Sequence, residues 1–327
     1  MNKSIKILVN YFLGPVLLVL LCFSLYRQLI QQPDLALRWQ QIKGSWLHWK
    51  FLLVIVLMLF NWGIEAVKWQ LLVSRVQQFG YFRALKSVFS GCSITMLTPN
   101  RIGEYGGRVL FLEEAHRIKG ISLTIIGSIS QLLVTMLMGC AGLIFLRYFS
   151  HNNDKALIVL PHFWGDVLIY FSLAFTALLF LFYIRIGWLV SLMDKIPAFL
   201  KVVKHIKVLD EFNGKQLVQL LSLSMLRYLV FVFQYVLLLQ VMQVGIAGWL
   251  SFWLISVFYL VMAVAPTIGF LELPIRAKAS VEIMQLFSTN TLGIQTAALG
   301  IWCVNLVIPA LIGSVLILGI KKIVKEK

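Results

Sequence analysis

PNRIGEYGGR, residues 99–108, breaks an apolar stretch with a proline, three glycines and three charged residues. A second break, PTIGFLELPIR at 266–276, has the same order: Pro, then Gly, then Glu, with Arg four residues after Glu. Glu104 and Glu272 are 168 residues apart, and so are Arg108 and Arg276, about half of the 327-residue chain. Proline ends an incoming helix, and glycine allows a tight turn or close backbone approach. The apolar segments before the breaks, 84–98 and 249–265, are short for a span of about 20 residues. The breaks therefore predict two re-entrant segments, each followed by a half-polar helix, at about 103–116 and 272–287. Pro99, Gly103, Gly106, Pro266 and Gly269 mark the turns.

The surrounding sequence places these segments in a membrane. Hydrophobic residues make up 60% of the chain and charged residues 13%, with a mean hydropathy of +0.88. That composition excludes a soluble domain of this length. Full spans are expected at about 7–26, 50–73, 121–146, 165–186, 217–243 and 291–319. The fold class is thus an all-α polytopic membrane protein of about six full spans and two re-entrant segments. With both short segments re-entrant, most Lys and Arg fall on the side of the two termini; with both crossing, the bias disappears. Cytoplasmic loops carry the excess of positive charge, so both termini are expected in the cytoplasm. Three full spans per half would invert the halves, giving a first repeat at about 1–160 and a second at about 161–327 within one transmembrane domain. Inverted repeats with broken helices are a transporter plan. The basic, amphipathic connection at 187–216 is expected on the cytoplasmic surface.

The net charge of +16 is read as a topology signal and an attraction to anionic head groups, not as a nucleic-acid footprint. Cys22, Cys92, Cys140 and Cys303 lie in apolar stretches without metal-ligand or CxxC spacing and read as small buried hydrophobes. No metal or cofactor motif occurs, and Gly214-Lys215-Gln216 lacks the rest of a phosphate-binding loop.

Five side chains carry the candidate site. Arg227 stands mid-span in LSMLRYLVFVFQ, where a charge is costly and needs a partner. It reads either as a phosphate ligand, because a guanidinium forks onto phosphate oxygens, or as the ion-pair partner of Glu65, Glu104 or Glu272. Glu104/Arg108 and Glu272/Arg276 share helix faces at i, i+4, and either pair with each other or meet a lipid head group. Glu65 and Lys68 are one turn apart near the end of the second span, with Trp62 and Trp69 as expected interfacial anchors. Asn61, Gln131, Gln234 and Asn305 are expected to form interhelical hydrogen bonds.

TPNRIGEYGGRVLFLEEAHRIKGISL (98–123) resembles the first signature of the lysylphosphatidylglycerol synthase transmembrane-region family, a flippase-like membrane domain. EAVKWQLLV (65–73) and PTIGFLELPIR are similar to its second-span ending and its second signature. The resemblance implies a bacterial plasma-membrane protein associated with translocating aminoacylated or other phospholipids, with anionic or aminoacylated phospholipid as the expected partner. The larger members carry a cytosolic aminoacyl-transferase, and related archaeal proteins a glycosyltransferase. Neither is expected here, so the chain reads as a transporter rather than an enzyme, with a separate synthase as a possible partner. Ser130-Gln131-Leu132-Leu133-Val134-Thr135 departs from the family pattern, which has charged residues there. Two other readings are an enzyme on a lipid-linked substrate with Glu104 or Glu272 as general base, and a non-catalytic partner of a transferase. Substrate and oligomeric state are left open.

Overall fold

The computed structural model describes residues 40, 44, 48–98, 102–148, 162–188, 207–210, 212–264 and 272–318. Over these the chain is helical, with no strand. The helices are α1 (Trp49–Val73), α2 (Tyr81–Leu97), α3 (Gly103–Val109), α4 (Arg117–Tyr148), α5 (His162–Ile184), α6 (Gly214–Val241), α7 (Gly248–Val264), α8 (Glu272–Met284), α9 (Thr291–Trp302) and α10 (Ile308–Leu318). A π turn at Cys303–Val307 joins the last two. Five helical runs are long and apolar enough to cross a membrane: 49–73, 114–148, 165–184, 214–241 and 291–318. These match five of the six expected spans. The sixth, at 7–26, and most of the connection at 187–216 lie outside the described residues. The chain is an all-α polytopic integral membrane protein.

α1 and α6 form the centre, and they run antiparallel. Lys50 Nζ donates to Gln240 Oε1 at 2.9 Å, Gln234 Nε2 to the Val54 carbonyl at 2.9 Å, and Lys68 Nζ approaches Ser224 Oγ at 3.4 Å. As the residue number rises on α1 it falls on α6. The C-terminal ends of α1 and α6 therefore lie at opposite ends of the bundle. α2 is entered from the end of α1 and α7 from the end of α6, so the two short helices start from opposite ends.

α2 and α3 fold into a tight hairpin. A Cβ on Gly103 would stand 2.4 Å from the Ile94 carbonyl oxygen, and one on Gly107 2.6 Å from Gly91 Cα. Only glycine lets the two backbones approach so closely. Thr98 Oγ1 accepts from the Gly103 N–H at 2.7 Å and caps the return. Gly106 differs: nothing lies within 4 Å of its Cβ position, and it faces outward. α3 is shorter than expected. Arg83 Nη2 takes the Phe111 carbonyl at 2.6 Å, the chain leaves the helix, and a 3₁₀ turn at Glu114–His116 leads into α4.

Each hairpin packs on a long helix from the other half of the chain. α2 lies on α10, where Ser93 Oγ donates to the Ala310 carbonyl at 2.6 Å. α7 lies on α4, where Gly139 meets the Leu260 side chain and Gly142 the Trp253 carbonyl. The hairpin ends converge: Leu273 at the start of α8 and Met96 near the end of α2 share an apolar cluster with Leu299, Trp302 and Val307. The π turn has a local cause. Pro309 has no N–H to give Asn305, and the Ile308 N–H bonds to the Cys303 carbonyl five residues back.

Candidate functional site

Glu65 organises the polar interior. It is 2% exposed, in a wall of apolar side chains, and three cations surround it. Its Oε1 accepts from Arg108 Nη2 at 2.6 Å; its Oε2 accepts from Arg227 Nη1 at 2.7 Å and lies 3.1 Å from Lys68 Nζ. Arg108 also pairs with Glu104. Three helical elements thus deliver the charges: α1 brings Glu65 and Lys68, α3 brings Arg108 and Glu104, and α6 brings Arg227. A charge isolated in a low-dielectric interior costs several kcal/mol, which explains why each has a partner.

The rest of the shell is polar or aromatic. Arg227 Nε donates to Asn61 Oδ1 at 3.0 Å, and Asn61 Nδ2 donates to Asn305 Oδ1 at 3.1 Å. Asn305 sits on the π turn, so the irregular part of α9–α10 reaches Arg227 through one amide relay. Lys68 Nζ also reaches the Gly127 carbonyl at 3.3 Å. Ser130 Oγ and Ser224 Oγ are 2.9 Å apart, and Gln131 Nε2 reaches the Ser224 carbonyl at 3.4 Å. The neutral Ser130-Gln131 stretch of α4 therefore meets the hub through hydroxyl and carbonyl groups. The Arg108 guanidinium stands over Trp69 at 5.5 Å, and that of Arg227 over Trp62 at 5.1 Å and Phe231 at 5.4 Å. Stacked cations of this kind gain from the ring quadrupole.

Trp62 and Trp69 are not interfacial anchors. They are 5% and 0% exposed, and Trp69 Nε1 donates to Ser87 Oγ at 2.8 Å. Cys92 and Cys140 are buried as expected, but Cys303 is at the surface. It lies on the outward side of the π turn, where a small apolar side chain can face lipid as well as a core.

The hub opens on one side. Side-chain exposure is 3% for Arg108 and Glu65 but 11% for Arg227 and 24% for Glu104. Arg108 Nε is buried without a hydrogen-bond partner.

The second candidate pair stands apart from the hub. Arg276 Nη2 donates to Glu272 Oε1 at 2.9 Å, and its guanidinium lies over Phe258 at 5.6 Å. Arg276 Nε is also buried without a partner. Of the five site residues expected from sequence, Glu104, Arg108 and Arg227 come together, and Glu272 and Arg276 pair on the other hairpin. Glu65 and Lys68 are the residues that sequence reasoning left outside its site; a carboxylate and an amine inside an otherwise apolar span were the available signal. Pro99, Pro266 and Gly269 lie outside the described residues. Among those described, no three His, Cys, Asp or Glu side chains gather as a metal set.

Fold and site together define a helical membrane protein with a buried polar centre. The family described as lysylphosphatidylglycerol synthase TM region matches residues 7–271, and the chain belongs to that family. It is thus a membrane protein of a family tied to lipid modification or transport. The match takes in the whole first break and ends one residue before Glu272. No curated protein and no solved structure matches the chain.

Proposed function

We propose that the protein moves phospholipid head groups across the bilayer, with the two hairpins as the halves of its binding region. The observation that carries this reading is the Glu65-centred hub of three cations and two carboxylates, placed within apolar helices and open at Arg227 and Glu104. Ionisable groups at membrane depth are costly and mark substrate pathways. Arg108, Arg227 and Arg276 hold phosphate oxygens in this mechanism. Glu104 and Glu272 take a head-group amine or a proton, while the acyl tails stay in the bilayer.

In the same reading the halves form an inverted repeat, and the hairpins enter from opposite faces. Support comes from the antiparallel α1 and α6, from the exchange of contacts in which α2 packs on α10 and α7 on α4, and from the common cluster of Met96 and Leu273. Discontinuous helices facing each other near the midplane are a recurring way to hold a charged substrate in a membrane. Anionic or aminoacylated phospholipid is the proposed substrate, and the plasma membrane of a bacterium, with both termini cytoplasmic, the proposed setting.

The test is transbilayer movement of labelled phospholipid in proteoliposomes of the purified chain. Arg227→Ala and Glu104→Gln are expected to slow it at least ~10-fold, the value of one charge-assisted contact. Unchanged transport in both variants removes this site. A new covalent lipid species made by the pure chain favours a lipid-modifying enzyme instead.

A further inference from the structure

Among the described residues the hub contains Lys68, Arg108 and Arg227 against Glu65 and Glu104, one formal positive charge in excess. Arg108 and Glu65 are each 3% exposed in their side chains and Lys68 1%, so water does little to screen that excess. Donors remain free as well as charge. Arg108 Nε is buried without a partner, and among the described residues Arg227 uses only Nε and Nη1. Glu65 already shows how such a ligand is held: each carboxylate oxygen takes one guanidinium, as a phosphate would.

Lys68 has a different part. Its ammonium is held by Glu65 Oε2, the Gly127 carbonyl and Ser224 Oγ, at 3.1, 3.3 and 3.4 Å. Three donors meet three acceptors, so Lys68 has nothing left with which to touch a ligand. What it contributes is charge. Without Lys68 the remaining four groups are neutral overall.

We infer that the hub is a binding site for an oxyanion of single charge, a phosphodiester head group, and that Lys68 sets its preference for net-anionic lipid without contacting it. Glu65 is the internal counter-ion that shares the two arginines with the ligand. This inference rests on the transport reading but fails separately from it.

The experiment is thermal unfolding of the purified full chain in zwitterionic detergent, titrated with phosphatidylglycerol, phosphatidylcholine or inorganic phosphate. The wild type is expected to bind phosphatidylglycerol roughly tenfold more tightly than phosphatidylcholine, one charge-assisted contact. Lys68→Met is expected to remove that preference, and Glu65→Gln, which frees both guanidiniums, to increase it. Where Lys68→Met does not fold, Lys68→Arg keeps the charge and must keep the preference. A wild type with no preference, or a preference that survives in Lys68→Met, overturns the inference; transport that persists beside either result leaves the transport reading standing. Stabilisation by inorganic phosphate equal to that by phosphatidylglycerol makes free phosphate the source of the oxyanion and overturns the lipid assignment, while the transport assay judges the transport reading on its own.

Discussion

The two hairpins carry the same four-residue spacing of Glu and Arg but have different surroundings. On α3, Arg108 bridges Glu104 and Glu65 and so ties its hairpin to α1 and, through Glu65, to α6. On α8, Arg276 pairs with Glu272 one turn away and rests on Phe258. The first hairpin is fastened to the centre of the bundle by ions; the second is joined there by apolar contacts such as Leu273 with Trp302. One motif thus yields a structural hub in one place and a local pair in the other.

Removing each arginine is the sharpest way to break that comparison. Arg108→Met takes the cation from Glu104 and one of three from the buried Glu65, cuts the tie between α3 and α1, and is expected to cost about 3–5 kcal/mol. Thermal unfolding in detergent, followed by tryptophan fluorescence, reads this as a large fall in midpoint. Arg276→Met removes one charge-assisted pair and is expected to cost about 1.5–3 kcal/mol, with the fold retained and lipid transport reduced. Equal losses in the two variants contradict the difference between the hairpins.

The backbone of the first hairpin gives a second contrast. Gly107→Ala puts a methyl group against Gly91 Cα and the Ser90 carbonyl, and is expected to cost about 1–3 kcal/mol as α3 is forced off α2. Gly106→Ala, one residue away and facing open space, is expected to be neutral or to stabilise by about 0.5–1 kcal/mol, because alanine suits a helix better than glycine. The same unfolding measurement checks both.

The sequence patterns reached some features and not others, for physical reasons. Long apolar runs disclose spans because the bilayer sets their length, and 49–73 and 214–241 were legible in that way. The first hairpin was legible from its glycines, since Gly103 and Gly107 stand where its two helices touch. The hub was legible in part: Glu65 was one of three partners offered for Arg227, and the structure makes that pair, but Arg108 reaches Glu65 across 43 residues, and a charge in a span states that a partner exists without choosing it. Trp62 and Trp69 misled because tryptophan beside charge near a span end is also the pattern of an interfacial belt. Here the charges are buried, and the rings cover the guanidiniums. The early end of α3 was hidden because Leu110-Phe111-Leu112 continues a helical pattern, while the Arg83 that takes the Phe111 carbonyl lies 28 residues away in sequence.

The placement of the hairpins rests on α1 and α6 running antiparallel. Phe82 at the start of α2 and Trp249 at the start of α7 are 75% and 60% exposed, and each marks the base of one hairpin. In a cysteine-free background, Phe82→Cys and Trp249→Cys are to be labelled with a membrane-impermeant thiol reagent in oriented vesicles. The account predicts that the two sites react from opposite sides of the bilayer. Reaction of both from the same side contradicts it.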